Sequence, residues 1–306
     1  TQGVTLFPYT TLFRSKTPLG SRIAEVHNGS SLFTGDAGQG ESNIRRWIIE
    51  NDWLEAIIAL PLNMFYNTGI ATYIWVITNR KPEHRRGRVQ LIDATQWFKP
   101  LRKNLGKKNC ELSEEDIRRI CDTFLEFQET EQSKIFPNQA FGYWKVTIEQ
   151  PLRLKGTDHE RACTPAEIKR LKESAERSES APPVIRKIHK SGTVPDPLHG
   201  LFEVMIKGKP RVVEYEPDTE LRDNEQVPLQ EEGGIEAFLR REVLPYAADA
   251  WYDPESIRIG YEVSFTRYFY KPKPLRTLEE IRADIVAVER ETEGLIQSIL
   301  IDAERD

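Results

Sequence analysis

The chain has 306 residues, a net charge of −5 at neutral pH and an apolar fraction of 39%, enough for one large or two ordinary domains with a buried core. It contains no run of about 18 apolar residues, which argues against a membrane-spanning segment. The negative charge argues against a surface that binds nucleic acid over its whole extent, but leaves local basic patches open. Cys110, Cys121 and Cys163 lack zinc or disulfide spacing, so we expect free thiols in a reducing cytoplasm.

Residues 5–15, TLFPYTTLFRS, resemble the in-frame translation of a sequencing adapter. The alternative is an ordinary strand rich in Thr and Phe. We therefore treat residues 1–19 as an artefactual or disordered leader and expect the natural sequence to resume near Lys16, with whatever preceded it lost.

The next hundred residues predict strands with a helix between them. A short apolar run at residues 22–26 predicts a strand, and a glycine-rich loop leads to a helix at residues 43–50. We expect Ser42 to cap that helix and Ile44, Trp47 and Ile48 to share one face at helical spacing. The apolar runs at residues 54–60 and 72–78, and a further run at 89–93, predict strands, the first two covered on both faces. This order predicts an α/β sheet with helices on its faces.

The remaining segments predict helices around a charged stretch. Ser113 and Asp116 begin an amphipathic helix over residues 113–131, and a second helix starts at Thr164. The stripe of the first helix comprises Ile117, Ile120, Cys121, Phe124 and Phe127. The charged and proline-containing residues from Thr164 to Ser191 predict a mobile insertion or linker. A short helix at 235–246, and two strands or a strand and a turn within 257–270, precede a long C-terminal helix.

The C-terminal helix carries a narrow apolar seam. Thr277 and Glu280 form its capping box. The seam has three-four spacing and comprises Leu278, Ile281, Ile285, Val288, Thr292, Leu295 and Ile299. A seam this narrow predicts a coiled-coil partner, with packing on its own domain as the alternative.

Common catalytic and ligand motifs are weak or missing. Gly35, Gly38 and Gly40 precede a helix, but without a Lys-Ser/Thr pair or a strand in register they favour a flexible loop over a phosphate cradle. The histidines are scattered and no G-x-S-x-G elbow occurs, so neither a metal site nor a serine hydrolase is supported.

Residues 54–78, LEAIIALPLNMFYNTGIATYIWVIT, are the most informative segment, because the loop between the two predicted strands places aromatic residues where a pocket would open. On physical grounds alone, a pocket wall and local core remain equally open. This segment, with VQLIDATQWF, FGYWKVTIEQPLRLK and AWYDPESIRIGYEVSFTRYFYKPKPLRTLEEI, resembles the methylation subunits of type I restriction-modification systems.

The resemblance implies a fold and a domain plan. The fold would be the distal half of a Rossmann-like seven-stranded methyltransferase sheet, incomplete here, followed by a mainly helical region that ends in a long coiled-coil-like helix. The plan comprises the leader, the distal methyltransferase part at residues 20–105, a helical extension at 106–160, a charged linker or insertion at 161–230 and a subunit-assembly region at 231–306.

The resemblance also implies an activity, the transfer of a methyl group from S-adenosylmethionine to the exocyclic amine of adenine in DNA. The family's Phe-x-Gly-x-Gly-like cofactor loop and Asn-Pro-Pro-Tyr/Phe motif do not occur in the 306 residues. No catalytic or cofactor-binding residue can therefore be assigned, and we expect the chain alone to be inactive and to bind no cofactor. Related enzymes hold the extruded adenine against an aromatic ring. The resemblance implies that this ring lies within residues 64–67. We assign it to Phe65, with Tyr66 as the alternative, and Phe65 could instead be hydrophobic support for the loop.

The implied partners are DNA, a specificity subunit, a second methylation subunit and a restriction subunit, in the cytoplasm of a bacterium or archaeon. The expected contact with the specificity subunit comprises Leu278, Ile281, Ile285, Val288, Leu295 and Ile299. A non-catalytic module that binds protein or DNA is the competing hypothesis. The DNA sequence that would be methylated cannot be read from this chain.

Overall fold

A computed structural model describes residues 20–158, 160–271 and 276–303, with side chains described as far as residue 292. The chain divides into two units, residues 1–268 and 269–306. The predicted leader at residues 1–19 lies outside the described residues.

The described residues form fourteen strands and six helices. The strands are β1 (Arg22–Asn28), β2 (Leu54–Ala59), β3 (Thr72–Thr78), β4 (Arg88–Asp93), β5 (Lys99–Leu105), β6 (Lys108–Glu111), β7 (Ser133–Pro137), β8 (Gly142–Glu149), β9 (Ile185–Ile188), β10 (Phe202–Ile206), β11 (Lys209–Tyr215), β12 (Asp223–Pro228), β13 (Trp251–Tyr252) and β14 (Arg258–Tyr261). The helices are α1 (Gly40–Glu50), α2 (Glu114–Glu126), α3 (Pro165–Ser174), α4 (Gly234–Phe238), α5 (Phe265–Phe269) and α6 (Leu278–Ala303). The fold is therefore mixed α/β, as predicted.

A five-stranded sheet has the strand order β1-β3-β2-β4-β7. Strands β2 and β4 are parallel and every other pair is antiparallel. Every residue of β2 is buried, and all but one residue of β3 is buried. The prediction that these two strands are covered on both faces is confirmed, because continuous apolar runs can satisfy burial on both sides of a sheet.

Helix α1 differs from its prediction in its start and in its buried face. The helix begins at Gly40 after the N-cap Gln39, so Ser42 lies inside it, and the prediction that Ser42 is the cap is wrong. The Ser42 hydroxyl instead accepts a hydrogen bond from the backbone N–H of Tyr261 at 3.1 Å. The buried residues of α1 are Ser42, Arg45, Ile48 and Ile49, which share only Ile48 with the predicted face. A distant strand, β14, thus selects which face of α1 is covered.

Helix α2 confirms the predicted capping box. Ser113 caps the helix, and its hydroxyl accepts a hydrogen bond from the backbone N–H of Asp116. The helix stops at Phe127, which adopts the left-handed conformation, so it is shorter than predicted. Of the predicted stripe, Ile120 is buried, whereas Ile117 and Cys121 are exposed. The stripe is therefore only partly core.

The prediction of a helical extension at residues 106–160 is wrong. Besides α2 this range contains β6, β7 and β8. Strand β7 pairs with β4 and completes the five-stranded sheet. Strand β8 is the centre of a second sheet, in which it pairs with β12 on one side and with β13 and β14 on the other. The boundary predicted at residue 105 therefore cuts through the first sheet.

The prediction of a charged linker over residues 161–230 is also wrong. The predicted start of the second helix is confirmed: Thr164 is the N-cap of α3 and forms a capping box with Glu167. A three-stranded sheet, β10-β11-β9, follows the helix. Ile185, Ile206, Val213 and Tyr215 form a hydrophobic cluster in this sheet. The many charges lie at the surface, where cross-strand ion pairs such as Arg186 with Glu214 compensate them. The composition resembled that of a linker, but the strands bury enough apolar surface to fold.

Helix α6 confirms the predicted capping box. The backbone N–H of Thr277 donates to Glu280 Oε2 at 2.8 Å, and the backbone N–H of Glu280 donates to Thr277 Oγ1 at 3.2 Å. Leu278, Ile281, Ile285 and Val288 are all exposed. Leu295 and Ile299 lie within the helix, but their side chains are outside the described part of the chain.

A buried ion pair joins the loops at one end of the five-stranded sheet. The Lys81 side chain is 1% exposed, and its Nζ donates to Asp52 Oδ1 and to the Arg88 carbonyl, both at 2.6 Å. Burial by itself raises the pKa of Asp52, but hydrogen bonds from Lys81, Gly87 and Asn138 outweigh it and hold the pKa below its usual value. Asp52 therefore stabilises the fold above its ordinary pKa, and this contribution is lost as the pH falls through the lower folded value.

Asp52→Asn tests this ion pair. The substitution leaves the buried Lys81 ammonium without a counter-ion, and we expect the free energy of unfolding to fall by about 3 kcal/mol, at the low end for such pairs because Asp52 is 31% exposed. Urea denaturation measures the change. The double variant Asp52→Asn/Lys81→Met removes both charges and should recover part of the loss. A single variant as stable as the wild type would contradict the role assigned to the pair.

Candidate functional site

Residues 60–71 form the loop between β2 and β3, here called the aromatic loop. Its ends are closed by a hydrogen bond of 2.9 Å from the Leu60 N–H to the Thr72 carbonyl. Asn63 and Asn67 have φ values of 58° and 54°, in the left-handed region that asparagine tolerates better than most residues. The Thr68 N–H donates to the Phe65 carbonyl at 3.2 Å, so a tight turn presents residues 65–68 at the tip.

The aromatic loop lies at the carboxyl edge of the parallel pair. Strands β2 and β4 run in the same direction and end side by side, where the Ala94 N–H donates to the Ala59 carbonyl at 3.0 Å. Asp93, the last residue of β4, accepts hydrogen bonds from the backbone N–H and the hydroxyl of Thr95 at 3.1 and 2.6 Å. In α/β sheets this edge is where ligands bind.

The two predicted stacking residues have different surroundings. Phe65 is half-buried and packs, together with Met64, against a hydrophobic cluster that includes Leu60, Ile92 and Trp97. Tyr66 is 68% exposed. The cluster supports Phe65 from one side, so the orientation of its ring is restricted, while Tyr66 extends into solvent.

A two-stranded hairpin, β5–β6, packs against the aromatic loop. The Asn109 N–H donates to the Asn63 carbonyl at 3.1 Å, and the Cys110 thiol donates to the Leu62 carbonyl at 3.2 Å. Gly106 at the hairpin tip approaches the aromatic loop so closely that a Cβ there would lie 2.3 Å from Asn67 Oδ1 and 3.4 Å from Tyr66 Cε2. With a φ of 59° as well, this position suits glycine. The loop and the hairpin therefore form one continuous surface.

The base of the hairpin is anchored in the core. Cys110 is 1% exposed, and burial raises the pKa of its thiol. Trp97, just before β5, belongs to the cluster against which Phe65 packs. The guanidinium carbon of Arg119, in α2, lies 4.3 Å from the centroid of the Trp97 ring. This anchoring couples the aromatic loop, the hairpin and α2.

Buried charged residues join the neighbouring elements of the five-stranded sheet. Glu55 of β2 is fully buried and accepts two hydrogen bonds from Arg22 of β1, at 2.6 and 3.1 Å. Arg85 is buried between the rings of Phe124 and Phe127, at 4.1 and 4.3 Å from their centroids. These contacts hold β1 to β2, and α2 to the turn that precedes β4.

The glycine-rich segment before α1 is engaged within the fold. Asp36 pairs with Lys145 at 2.5 Å, and this contact lowers the pKa of Asp36. Gly38 lies against the side chain of Arg258, since a Cβ there would be 3.5 Å from its Cδ. Within residues 20–158, 160–271 and 276–303, no group of three or more His, Cys, Asp or Glu residues could hold a metal ion. None of the helices in those ranges combines the length and apolar character needed to cross a membrane.

The family described as N-6 DNA Methylase matches residues 7–149, a span that contains the aromatic loop, the hairpin and the whole five-stranded sheet. The predicted resemblance to methylation subunits of type I restriction-modification systems is also confirmed by individual relatives. The type I restriction enzyme MjaIX methylase subunit of Methanocaldococcus jannaschii is 35% identical over 151 residues, covering 46% of this chain and 26% of that protein.

Other relatives support the same family. The MjaVII methylase subunit of the same organism is 32% identical over 112 residues, covering 36% of this chain and 18% of that protein. The chain thus spans about a quarter or less of the length of these curated relatives. The type I methyltransferase subunit from Streptococcus thermophilus, a solved structure, is 24% identical and covers 39% of this chain and 24% of its own, with a TM-score of 0.33. A TM-score this low does not establish a common fold.

One part of the site was not found by sequence reasoning. The hairpin carries five cationic residues, and no acidic residue lies between Asp93 and Glu111. That interruption in an otherwise acidic chain was a visible signal, although only the structure shows that the hairpin touches the aromatic loop.

Proposed function

We propose that this chain is the part of an adenine-specific DNA methyltransferase subunit of a type I restriction-modification system that holds the target base. The aromatic loop carries the proposal. It lies within the family match, at the carboxyl edge of the parallel pair, and its tip presents a half-buried ring beside an exposed one. We also propose that the five-stranded sheet is the distal half of a Rossmann-like sheet. The rest of that sheet would come from residues beyond those that the structure describes.

In this proposal Phe65 stacks on an adenine that has left the DNA helix. The cluster behind Phe65 fixes the ring before the base arrives, so that less side-chain entropy is lost on binding. Stacking of a base on an aromatic ring contributes about 1 to 3 kcal/mol. Tyr66 is the alternative stacking residue, because its greater exposure makes it accessible but also leaves it less constrained.

The described residues do not fit the methyl donor, S-adenosylmethionine. Its sites in this class use a glycine-rich loop that follows a strand, at the carboxyl edge of the sheet. The glycine-rich segment between β1 and α1 does follow a strand at this edge, but its Asp36 pairs with Lys145 and its Gly38 packs against Arg258. The carboxylate of Asp93, at the end of β4, already accepts two hydrogen bonds from Thr95. No catalytic step through the cofactor is therefore assigned to these residues.

We propose in addition that α6 is a subunit-assembly helix. Leu278, Ile281, Ile285 and Val288 form an apolar stripe with three-four spacing, and each is at least 40% exposed. An exposed stripe of this kind suits a coiled-coil-like contact with the specificity subunit. A second methylation subunit and a restriction subunit would complete the assembly, as the resemblance implies.

Cofactor binding by the chain alone is the first test. Because the described residues offer no fitted site, we expect isothermal titration calorimetry with S-adenosylmethionine to detect no binding. A micromolar dissociation constant would show that the chain contains a complete cofactor site and would contradict the assignment above.

Substitutions at Phe65 test the base-holding role. They require a chimera in which residues 20–306 follow the preceding region of the M. jannaschii MjaIX methylase subunit. Phe65→Ala should slow methylation by roughly one to two orders of magnitude through lost stacking. Phe65→Leu, which keeps apolar volume but no ring, should be nearly as slow. Tritiated methyl transfer to DNA measures both rates.

The controls separate three readings of the loop. If Phe65→Leu restores the rate while Phe65→Ala does not, the ring is hydrophobic support for the loop. If Tyr66→Ala is slow and both Phe65 variants are fast, Tyr66 is the stacking residue. Normal rates in all three variants would refute the base-holding function.

Acidic substitutions on α6 test the assembly helix. Ile281→Asp/Ile285→Asp places two charges in the stripe, and we expect it to abolish co-purification with the specificity subunit while the circular dichroism of the chain alone changes little. Val286→Asp is the matched control, because Val286 is an exposed apolar residue of the same helix outside the stripe. Retained assembly, or unfolding of the chain alone, would favour packing of α6 within the chain.

A further inference from the structure

The β5–β6 hairpin is an exposed cationic element. Its cationic residues are Lys99, Arg102, Lys103, Lys107 and Lys108, all exposed except for the half-buried Lys108. From Ala94 to Cys110 the chain has no carboxylate side chain. The protein as a whole has a net charge of −5, so the hairpin is a local reversal of its charge.

The charge of the hairpin is not compensated by neighbours. Among the residues that the structure describes, none of these five cations forms an ion pair. Glu111 faces Lys99 across the hairpin in strand register, but the two side chains form no salt bridge. On β9, by contrast, the exposed Arg186 and Lys187 both pair with Glu214, at 2.7 and 3.1 Å. Uncompensated cations on one element attract a polyanion.

The hairpin is held next to the aromatic loop. Backbone and thiol hydrogen bonds join Asn109 and Cys110 to that loop, and the hairpin tip at Gly106 touches Asn67 and Tyr66. Lys107 follows directly after the tip and lies beside Gly69 of the loop, where a Cβ would be 3.7 Å from its Cδ. The cationic hairpin therefore adjoins the loop that carries the two aromatic rings.

We propose that the β5–β6 hairpin binds the phosphate backbone of DNA beside the nucleotide whose base contacts the aromatic loop. The proposal rests on the base-holding function for the identity of that nucleotide. A base that leaves the helix stays bonded to its own sugar and phosphates, so the flanking phosphates must pass close to the ring that holds it. Contacts to phosphates fix the position of a protein on DNA without reading its sequence. That division suits a subunit whose target site is chosen elsewhere.

Nucleic acid fits the hairpin better than a lipid surface does. Membrane-surface elements combine cations with a broad apolar face. The hairpin has one exposed large apolar residue, Leu105, and its remaining exposed residues are mainly cationic or amide side chains.

The test compares two variants with the same change in charge. Arg102→Gln/Lys103→Gln removes an Arg-Lys pair from the hairpin, and Arg186→Gln/Lys187→Gln removes an Arg-Lys pair from β9. Fluorescence anisotropy with a short labelled DNA duplex of mixed sequence, at several salt concentrations, gives the affinity and its salt dependence. We expect the hairpin variant to bind about tenfold more weakly and to lower the slope of log K against log salt by about two. The β9 variant should stay within about twofold of the wild type.

Several results would overturn the proposal. Equal losses in both variants would show that only total charge matters. Absence of DNA binding by the wild-type chain at low salt would show that the hairpin does not bind phosphates. Tighter binding to an RNA duplex of equal length, lost in the hairpin variant, would make RNA the partner. Thermal melting of each variant, and Lys107→Gln/Lys108→Gln as a second hairpin variant, separate lost contacts from lost folding.

This outcome is independent of the Phe65 chimera. If the hairpin variant loses DNA binding while all Phe65 and Tyr66 variants methylate normally, the hairpin site stands and the base-holding function fails. If the hairpin variant binds DNA normally while Phe65→Ala and Phe65→Leu methylate slowly, the base-holding function stands and the hairpin site fails.

Discussion

Strand β2 is the constraint on which the rest of the first sheet depends. It is buried along its whole length and hydrogen-bonded on both edges, antiparallel to β3 and parallel to β4. Two paired edges satisfy its backbone groups, and apolar side chains suit both of its faces. Because β2 and β4 run in one direction, their carboxyl ends meet, and the aromatic loop must leave the sheet at that edge. The position of the loop is thus a consequence of strand direction.

The buried charges of Glu55 and Lys81 in and beside this sheet are each stabilised by an ion pair with an oppositely charged side chain. Glu55 has no exposed surface and Lys81 has almost none, yet each meets an opposite charge with short hydrogen bonds. Breaking such a pair costs more than the pair contributes, since the remaining charge is left without solvent. The same contacts join segments far apart in sequence, Arg22 with β2 and Lys81 with the turn after α1. They stabilise the sheet that carries the aromatic loop.

The loop and the hairpin divide the work proposed for this surface. Aromatic stacking has no preference for charge and acts over short distances, whereas phosphate attraction acts over a Debye length and weakens with salt. A ring backed by a core cluster and a set of uncompensated cations, held together by Asn63–Asn109 and Leu62–Cys110 contacts, would supply both in one place. The exposed stripe of α6 belongs to the other unit of the chain and serves assembly in the same proposal.

The sequence by itself determined those features whose causes are local. The capping boxes of α2, α3 and α6 join residues three apart, and the buried strands β2 and β3 are continuous apolar runs, so each could be predicted from its own residues. The position of Phe65 and Tyr66 in the loop between them followed directly. The family resemblance also came from sequence words, because they are long and independently placed.

Only the tertiary structure decided which distant segments meet. The pairing of β8 with β12, β13 and β14, the folding of the charged segment around β11, and the covering of α1 by β14 depend on contacts between residues remote in sequence. Charged residues such as Arg186 and Glu214 are typical of a solvated linker in sequence. Only the pairing of β9 with β11 shows that they form an ion pair across two strands. The different exposure of Phe65 and Tyr66, and the contact of the hairpin with their loop, were likewise settled by packing, since neighbouring residues in a chain share a sequence context but not a surface.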